Sequence, residues 1–208
     1  MIKLTFGVSL MSASTSRAFY DLASEHGGYF TTREALQSGL SYRQLSYHVL
    51  SGELERVSHG VYRLINYPAH RPADMITATL WAGPDSAISH ESALAVYGLS
   101  SAMPAIVHLT APSTFTGSRD GVRIHHADLK PDERRVWDDV PVTIVERSLI
   151  DVAQGGDSSL LRDAVSDSLA QGLTTRLRLA TAVARSAHRA EIRRALGIRL
   201  PAVKKTAA

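Results

Sequence analysis

Cysteine is absent from the 208 residues. Disulfides, thiolate nucleophiles, iron–sulfur clusters and every cysteine-based zinc site go with it. A metal ion would have to be held by histidine and carboxylate side chains alone. No apolar run approaches the roughly 18 residues that a membrane-spanning helix needs. No Gly-x-x-x-x-Gly-Lys phosphate loop occurs, so a nucleotide-driven function is unsupported. What is present, 44% hydrophobic and 21% charged residues, is ordinary globular usage and fits neither disorder nor a fibrous repeat. The length allows one large or two small domains. The apolar stretch from Met1 to Leu10 is short for a secretion signal, and Met11 offers an alternative start. The expectation is a cytoplasmic protein without a membrane partner or a cofactor.

The net charge of +3 is unevenly distributed. Residues 1–72 carry 7 basic against 5 acidic side chains, residues 73–159 carry 6 against 12, and residues 160–208 carry 10 against 3. Basic ends around an acidic middle suggest contact with a polyanion, because a summed field steers phosphate ligands. The plainer reading of the C-terminal excess is a solvated helix face.

Punctuation divides the chain into a flexible N-terminus at 1–16, a compact unit at 17–67, an α+β unit at 73–157 and a basic helical region at 158–208. Within the second stretch, Arg17 to Glu25 has helical spacing and stops at Gly27-Gly28, where glycine permits positive φ. Thr31 and Thr32 offer caps for a short helix to Gln37, and Ser41 can cap a third from Tyr42 to Ser51. In that third helix Leu45, Val49 and Leu50 are expected inward, with Tyr42, Arg43, Gln44, Tyr47 and His48 outward. Leu54–Val57 and Val61–Ile65, around Ser58-His59-Gly60, read as a β-hairpin. The later segment predicts helices at 74–81 and 89–98, and strands at 105–110, 122–126 and 142–145. Helices are expected again from Glu146 and near 158–171, 174–185 and 187–196. The fold class is therefore α+β, a winged helix-turn-helix followed by an α+β domain with a helical C-terminal region.

A winged helix-turn-helix inserts its third helix into the DNA major groove. Arginine can bond bidentately to guanine and glutamine to adenine, while tyrosine and histidine reach phosphates or thymine methyls. The candidate DNA-binding residues are Thr32, Tyr42, Arg43, Gln44, Tyr47 and His48, with Arg56, His59 and Arg63 from the wing. The wing residues would add affinity more than base choice. The competing reading is a protein-binding winged helix whose tyrosines cover a small core.

Three segments resemble the AbiEi-type antitoxins of type IV toxin–antitoxin systems. The stretch from Phe30-Thr31-Thr32-Arg33-Glu34-Ala35 through Gly52-Glu53-Leu54-Glu55-Arg56-Val57 to Gly60-Val61-Tyr62-Arg63 is similar to that family's winged-helix domain. Ile88-Ser89-His90-Glu91-Ser92-Ala93-Leu94-Ala95-Val96-Tyr97-Gly98-Leu99 is similar to the start of its second domain, and Thr143-Ile144-Val145-Glu146-Arg147-Ser148-Leu149-Ile150-Asp151 to its closing motif. The resemblance implies a repressor of its own operon, bound to double-stranded promoter DNA, with an inverted repeat as the expected operator. It also implies protection against a nucleotidyltransferase-like toxin without a stable complex. A regulator without a toxin is the alternative, and a metal-dependent hydrolase recruited by its winged helix is a third reading.

Residues that could carry catalysis are few. Glu146-Arg147-Ser148 lacks the lysine of a Glu-x-Lys nuclease core, and reads as a helix start with Arg147 pairing Asp151 at i+4. Asp138-Asp139 reads as a solvated loop pair. Consecutive His90-Glu91-Ser92 lacks a nucleophile elbow and reads as a cap and first turn. His108, His125, His126 and Asp128 are the best metal-ligand candidates. Because His125 and His126 point to opposite faces of a strand, at most one joins His108, and the expectation is no metal site.

Overall fold

Two reciprocal caps begin the short helices of the N-terminal unit. The hydroxyl of Thr31 accepts from the backbone N–H of Glu34 at 3.2 Å, while the Glu34 carboxylate accepts from the N–H of Thr31 at 2.7 Å. Ser41 and Gln44 repeat the arrangement, at 3.3 Å and 2.9 Å. These boxes start α2 (Thr32–Gln37) and α3 (Tyr42–Leu50). The computed structural model describes residues 13–68, 72–99, 101, 103–155, 158–186 and 189–201. The chain divides into two compact units, residues 1–73 and 74–208.

The first unit opens with α1 (Ala13–Ser24), which begins four residues before the expected Arg17, inside the stretch read as flexible. The rest of that stretch, residues 1–12, lies outside the described residues. Gly28 follows at φ +102, and a Cβ there would come within 2.9 Å of the Tyr67 ring, so the bend requires glycine twice over. Strand β1 (Tyr29–Thr31) precedes α2. The hairpin is β2 (Leu54–Ser58) and β3 (Val61–Leu64), and β1 adds to its far side to give the order β1-β3-β2. Beneath lie Phe19, Leu22, Phe30, Ala35, Leu40, Leu45, Leu54 and Leu64, all buried. Phe30 stacks between Phe19 and Tyr62, with ring centroids 5.8 Å away on each side. Three helices and a wing thus share one small core, and the unit is a winged helix-turn-helix.

The second unit is α+β with a helical C-terminus. Its described strands are β4 (Ala87–Ile88), β5 (Val107–Ala111), β6 (Val122–His126), β7 (Arg134–Trp137) and β8 (Val140–Thr143), in the order β6-β5-β4-β8-β7. The β5–β6 and β4–β8 pairs are parallel; β4–β5 and β7–β8 are antiparallel. The strand expected at 142–145 instead begins at Val140, includes Pro141, and gives way to helix at Val145. Around the sheet are α4 (Ala73–Ala82), α5 (His90–Val96) and α6 (Val145–Gly155). Helices α7 (Ser158–Ala170), α8 (Arg176–Arg185) and α9 (Arg189–Ala195) follow. All three pack on α6 or on one another, burying Leu161, Val165, Leu179, Val183, Ile192 and Leu196. No described helix is long and apolar enough to cross a membrane.

Candidate nucleic-acid interface

The Ser41 box fixes where α3 begins, and its turn phase decides which side chains meet solvent. Tyr42, Arg43, Ser46, Tyr47 and Leu50 are exposed, an i, i+4, i+8 stripe with its neighbours, whereas Leu45 is buried. Tyr42 is 65% exposed and Leu50 88%, so Leu50 lies on the outer face and not on the core side where its apolar character suggested it would go. Ser46 was not among the expected groups; its place is set by the helical phase alone. Arg33, at the start of α2, is also exposed.

The expectation for His48 is overturned. Its ring is 5% exposed, meets Phe19 edge-on at 4.9 Å between centroids, and its Nδ1 contacts the Glu53 carboxylate. It is a core histidine with a charged partner and does not face outward. Gln44 is half-buried and its amide oxygen caps Ser41, leaving only its NH₂ group for a base. Thr32 is half-buried too: its hydroxyl donates to the Gly60 carbonyl at 3.3 Å and its backbone N–H to the same oxygen at 2.8 Å. It therefore ties the start of α2 to the wing turn.

On the wing, Arg56 and His59 are exposed and approach within 3.3 Å, Arg56 Nη2 to His59 Nδ1. Arg63 lies opposite Glu55 across the hairpin and pairs with its carboxylate at 3.6 Å. Arg43 and Arg56 are thus the exposed cations of the expected set, and Arg63 would have to exchange Glu55 for phosphate.

In the second unit two of the four candidate metal ligands stand apart. His126 is exposed with Nδ1 3.5 Å from the Pro112 carbonyl oxygen, and the Asp128 carboxylate accepts from the Ser113 N–H at 3.2 Å. His108 and His125 do come together, Nδ1 to Nε2 at 3.3 Å, and His90 joins them, its ring stacked on His125 at 3.6 Å between centroids. The three offer nitrogens within 4.8 Å of one another, a grouping that could hold a metal ion where the sequence led to the expectation of none. The run His90-Glu91-Ser92 reads as a cap and first turn, and the distance of His90 in sequence from the two strands conceals its place in the cluster. Burial, reinforced by His125, lowers the His90 pKa to about 3; burial, reinforced by His108, lowers that of His125 to about 4. Both rings are neutral at neutral pH. Contact with His108, against the opposing effect of burial, lowers the Glu91 carboxyl to about 2.

A second polar cleft is lined by Lys130, Asp132, Glu133, Arg147, Asp151 and Arg185, and its charges are internally matched. Arg147 bonds Asp151 at 2.8 Å, the expected i+4 pair, and Glu133 at 3.3 Å; Arg185 meets Asp132 at 3.3 Å. Burial pushes the Asp151 carboxyl up to about 6 against the pull of Arg147. Glu146 is buried where α6 begins and accepts from Arg178 at 3.0 Å and from the Thr174 hydroxyl.

A winged helix with an exposed Arg–Tyr face is an architecture that can enter a DNA groove. Residues 19–65 match the model of the family described as transcriptional regulator, AbiEi antitoxin. The chain also shares its fold with the RV2827C protein from Mycobacterium tuberculosis. That crystal structure superposes with a TM-score of 0.57 at 13% identity, over 90% of this chain and 78% of the other. No curated protein matches the chain.

Proposed function

We propose that the chain is a DNA-binding antitoxin of a type IV system that represses its own operon and counters a nucleotidyltransferase-like toxin. The observation that carries the DNA half of this reading is the exposed α3 face of Tyr42, Arg43, Ser46 and Tyr47 beside the exposed wing pair Arg56 and His59. Arg43 would read a guanine, the tyrosine hydroxyls would take phosphates, and the wing would hold the flanking backbone. Two protomers on an inverted repeat would place their α3 helices about 34 Å apart, one helical turn of DNA. The toxin half is supported by the match of residues 19–65 to an antitoxin family.

The two halves are tested together. Substituting Arg43 and Tyr47 by alanine should abolish preference for the chain's own promoter over random DNA. Cells expressing the toxin encoded beside it should remain protected when expression is matched. Removing residues 1–70 should have the same effect, because the antitoxic role is assigned to the second unit. Loss of protection in the folded double variant would make DNA binding itself the antitoxic act. The absence of a nucleotidyltransferase-like gene beside this one would leave a regulator without a toxin.

A further inference from the structure

Three imidazoles from three separate elements converge in the second unit: His90 at the first position of α5, His108 in β5 and His125 in β6. The parallel register sets Arg123 opposite His108 and His125 opposite Thr110. Side chains two apart on a strand share a face, so His108 and His125 are diagonal neighbours on one side of the sheet. His90 reaches the same spot from the start of α5, at φ +52, a left-handed conformation that is strained for a non-glycine residue. Ser89, the residue before it, makes no side-chain cap bond to the helix; its hydroxyl lies 3.0 Å from His90 Nδ1. That contact occupies one ring nitrogen and leaves Nε2 for a ligand.

A carboxylate completes the set. Glu91 Oε2 lies 2.9 Å from His108 Nδ1 and is buried with no other hydrogen-bond partner among the described residues. We propose that His90, His108 and His125, with Glu91, bind one divalent transition-metal ion, zinc being the natural occupant. The donor set is the one a chain without cysteine can assemble, and neutral imidazole with carboxylate suits zinc and its neighbours over magnesium or calcium. Two nitrogens on a tetrahedral zinc stand about 3.4 Å apart. The His108 and His125 nitrogens already stand at 3.3 Å, and all three donors lie within 4.8 Å, so the set converges on one ion once the His90 ring, stacked on His125, turns its Nε2 toward the other two. The ion would join the start of α5 to two strands that reach this face from distant parts of the sequence, and it would offset the strain at His90.

The test uses the full chain stripped with a chelator and then titrated with Co²⁺ and with Zn²⁺. Calorimetry should give one ion per chain at micromolar affinity or tighter. Bound cobalt should show the visible d–d bands of a low-coordinate nitrogen and oxygen site. His125→Gln and Glu91→Gln should each weaken binding by at least about 10-fold. His126→Gln, whose ring lies outside the cluster, should not. Zinc should raise the thermal midpoint of the wild type and leave that of His125→Gln unmoved. Absence of saturable binding by the wild-type chain would overturn the proposal without any variant, as would full binding by His125→Gln or an equal loss in His126→Gln.

Discussion

The Nδ1 of His48 sits against the Glu53 carboxylate beneath α3, with the Phe19 ring edge-on to the imidazole at 4.9 Å. A histidine in the middle of the groove-facing helix is therefore part of what holds that helix in place. His48→Ala would remove the aromatic contact and strand a half-buried carboxylate. Urea unfolding should show a loss of about 2 kcal/mol or more. Tyr47→Ala, one residue earlier on the exposed face, should stay within about 0.5 kcal/mol of the wild type.

Exposed and paired cations should behave differently on DNA. Arg43→Ala is expected to cost about 1–3 kcal/mol on the promoter and to relax base preference at one position. Arg56→Ala should weaken all duplexes alike and reduce the salt slope by about 1, from a wild-type value near −3 to −4 if roughly four phosphates are neutralised. Arg63→Ala should have the smaller effect, because its guanidinium must first leave Glu55. Fluorescence anisotropy across a salt series, with promoter and scrambled duplexes, checks all three.

The basic C-terminal helices cannot be tested by truncation. A chain ending near Gly156 would uncover the face of α6 and release Glu146 from Arg178, so it should lose cooperative unfolding. Replacing the exposed Arg189, Arg193 and Arg194 by glutamine removes charge while sparing the buried Ile192 and Leu196. If the charge serves DNA, this variant should bind promoter with a shallower salt slope at unchanged stability. An unchanged slope would make the excess a solvated face.

Asp151 gives the second unit an acid-side stability term. Its folded pKa of about 6 lies above the ordinary 3.8, so the fold favours the protonated carboxyl. That contribution is fully present below the unfolded value and is lost as pH rises through about 6. The difference corresponds to about 3 kcal/mol. Asp151→Asn, which cannot ionise, should flatten the pH dependence of chemical unfolding between about pH 4 and 7 relative to the wild type.

Much of the N-terminal unit was legible because its signals are local. A Thr or Ser three residues before Glu34 or Gln44, glycines at turns, and β-prone runs around His59-Gly60 act over a few residues, and the structure uses them where they stand. Local signals also explain why Val122–His126 and the i+4 bond from Arg147 to Asp151 match expectation. The misses are of another kind. The two residues of β4 are too few for an alternation to register, and charged Arg134-Arg135 masked β7.

What the sequence determined by itself is the α+β class, the winged helix-turn-helix and the candidates Tyr42, Arg43, Tyr47 and Arg56 on its exposed parts. Each depends on spacing within one element, which backbone geometry enforces. Only the tertiary structure decided that His48 turns inward to Glu53, that Leu50 turns out, and that His90 meets His108 and His125. Helical periodicity sorts apolar from polar residues, but a histidine is both, and its side is chosen by the partner it finds. For His48 that partner is a carboxylate just past the helix end; for His90 it is a pair of rings on two strands, reached only after the sheet has closed.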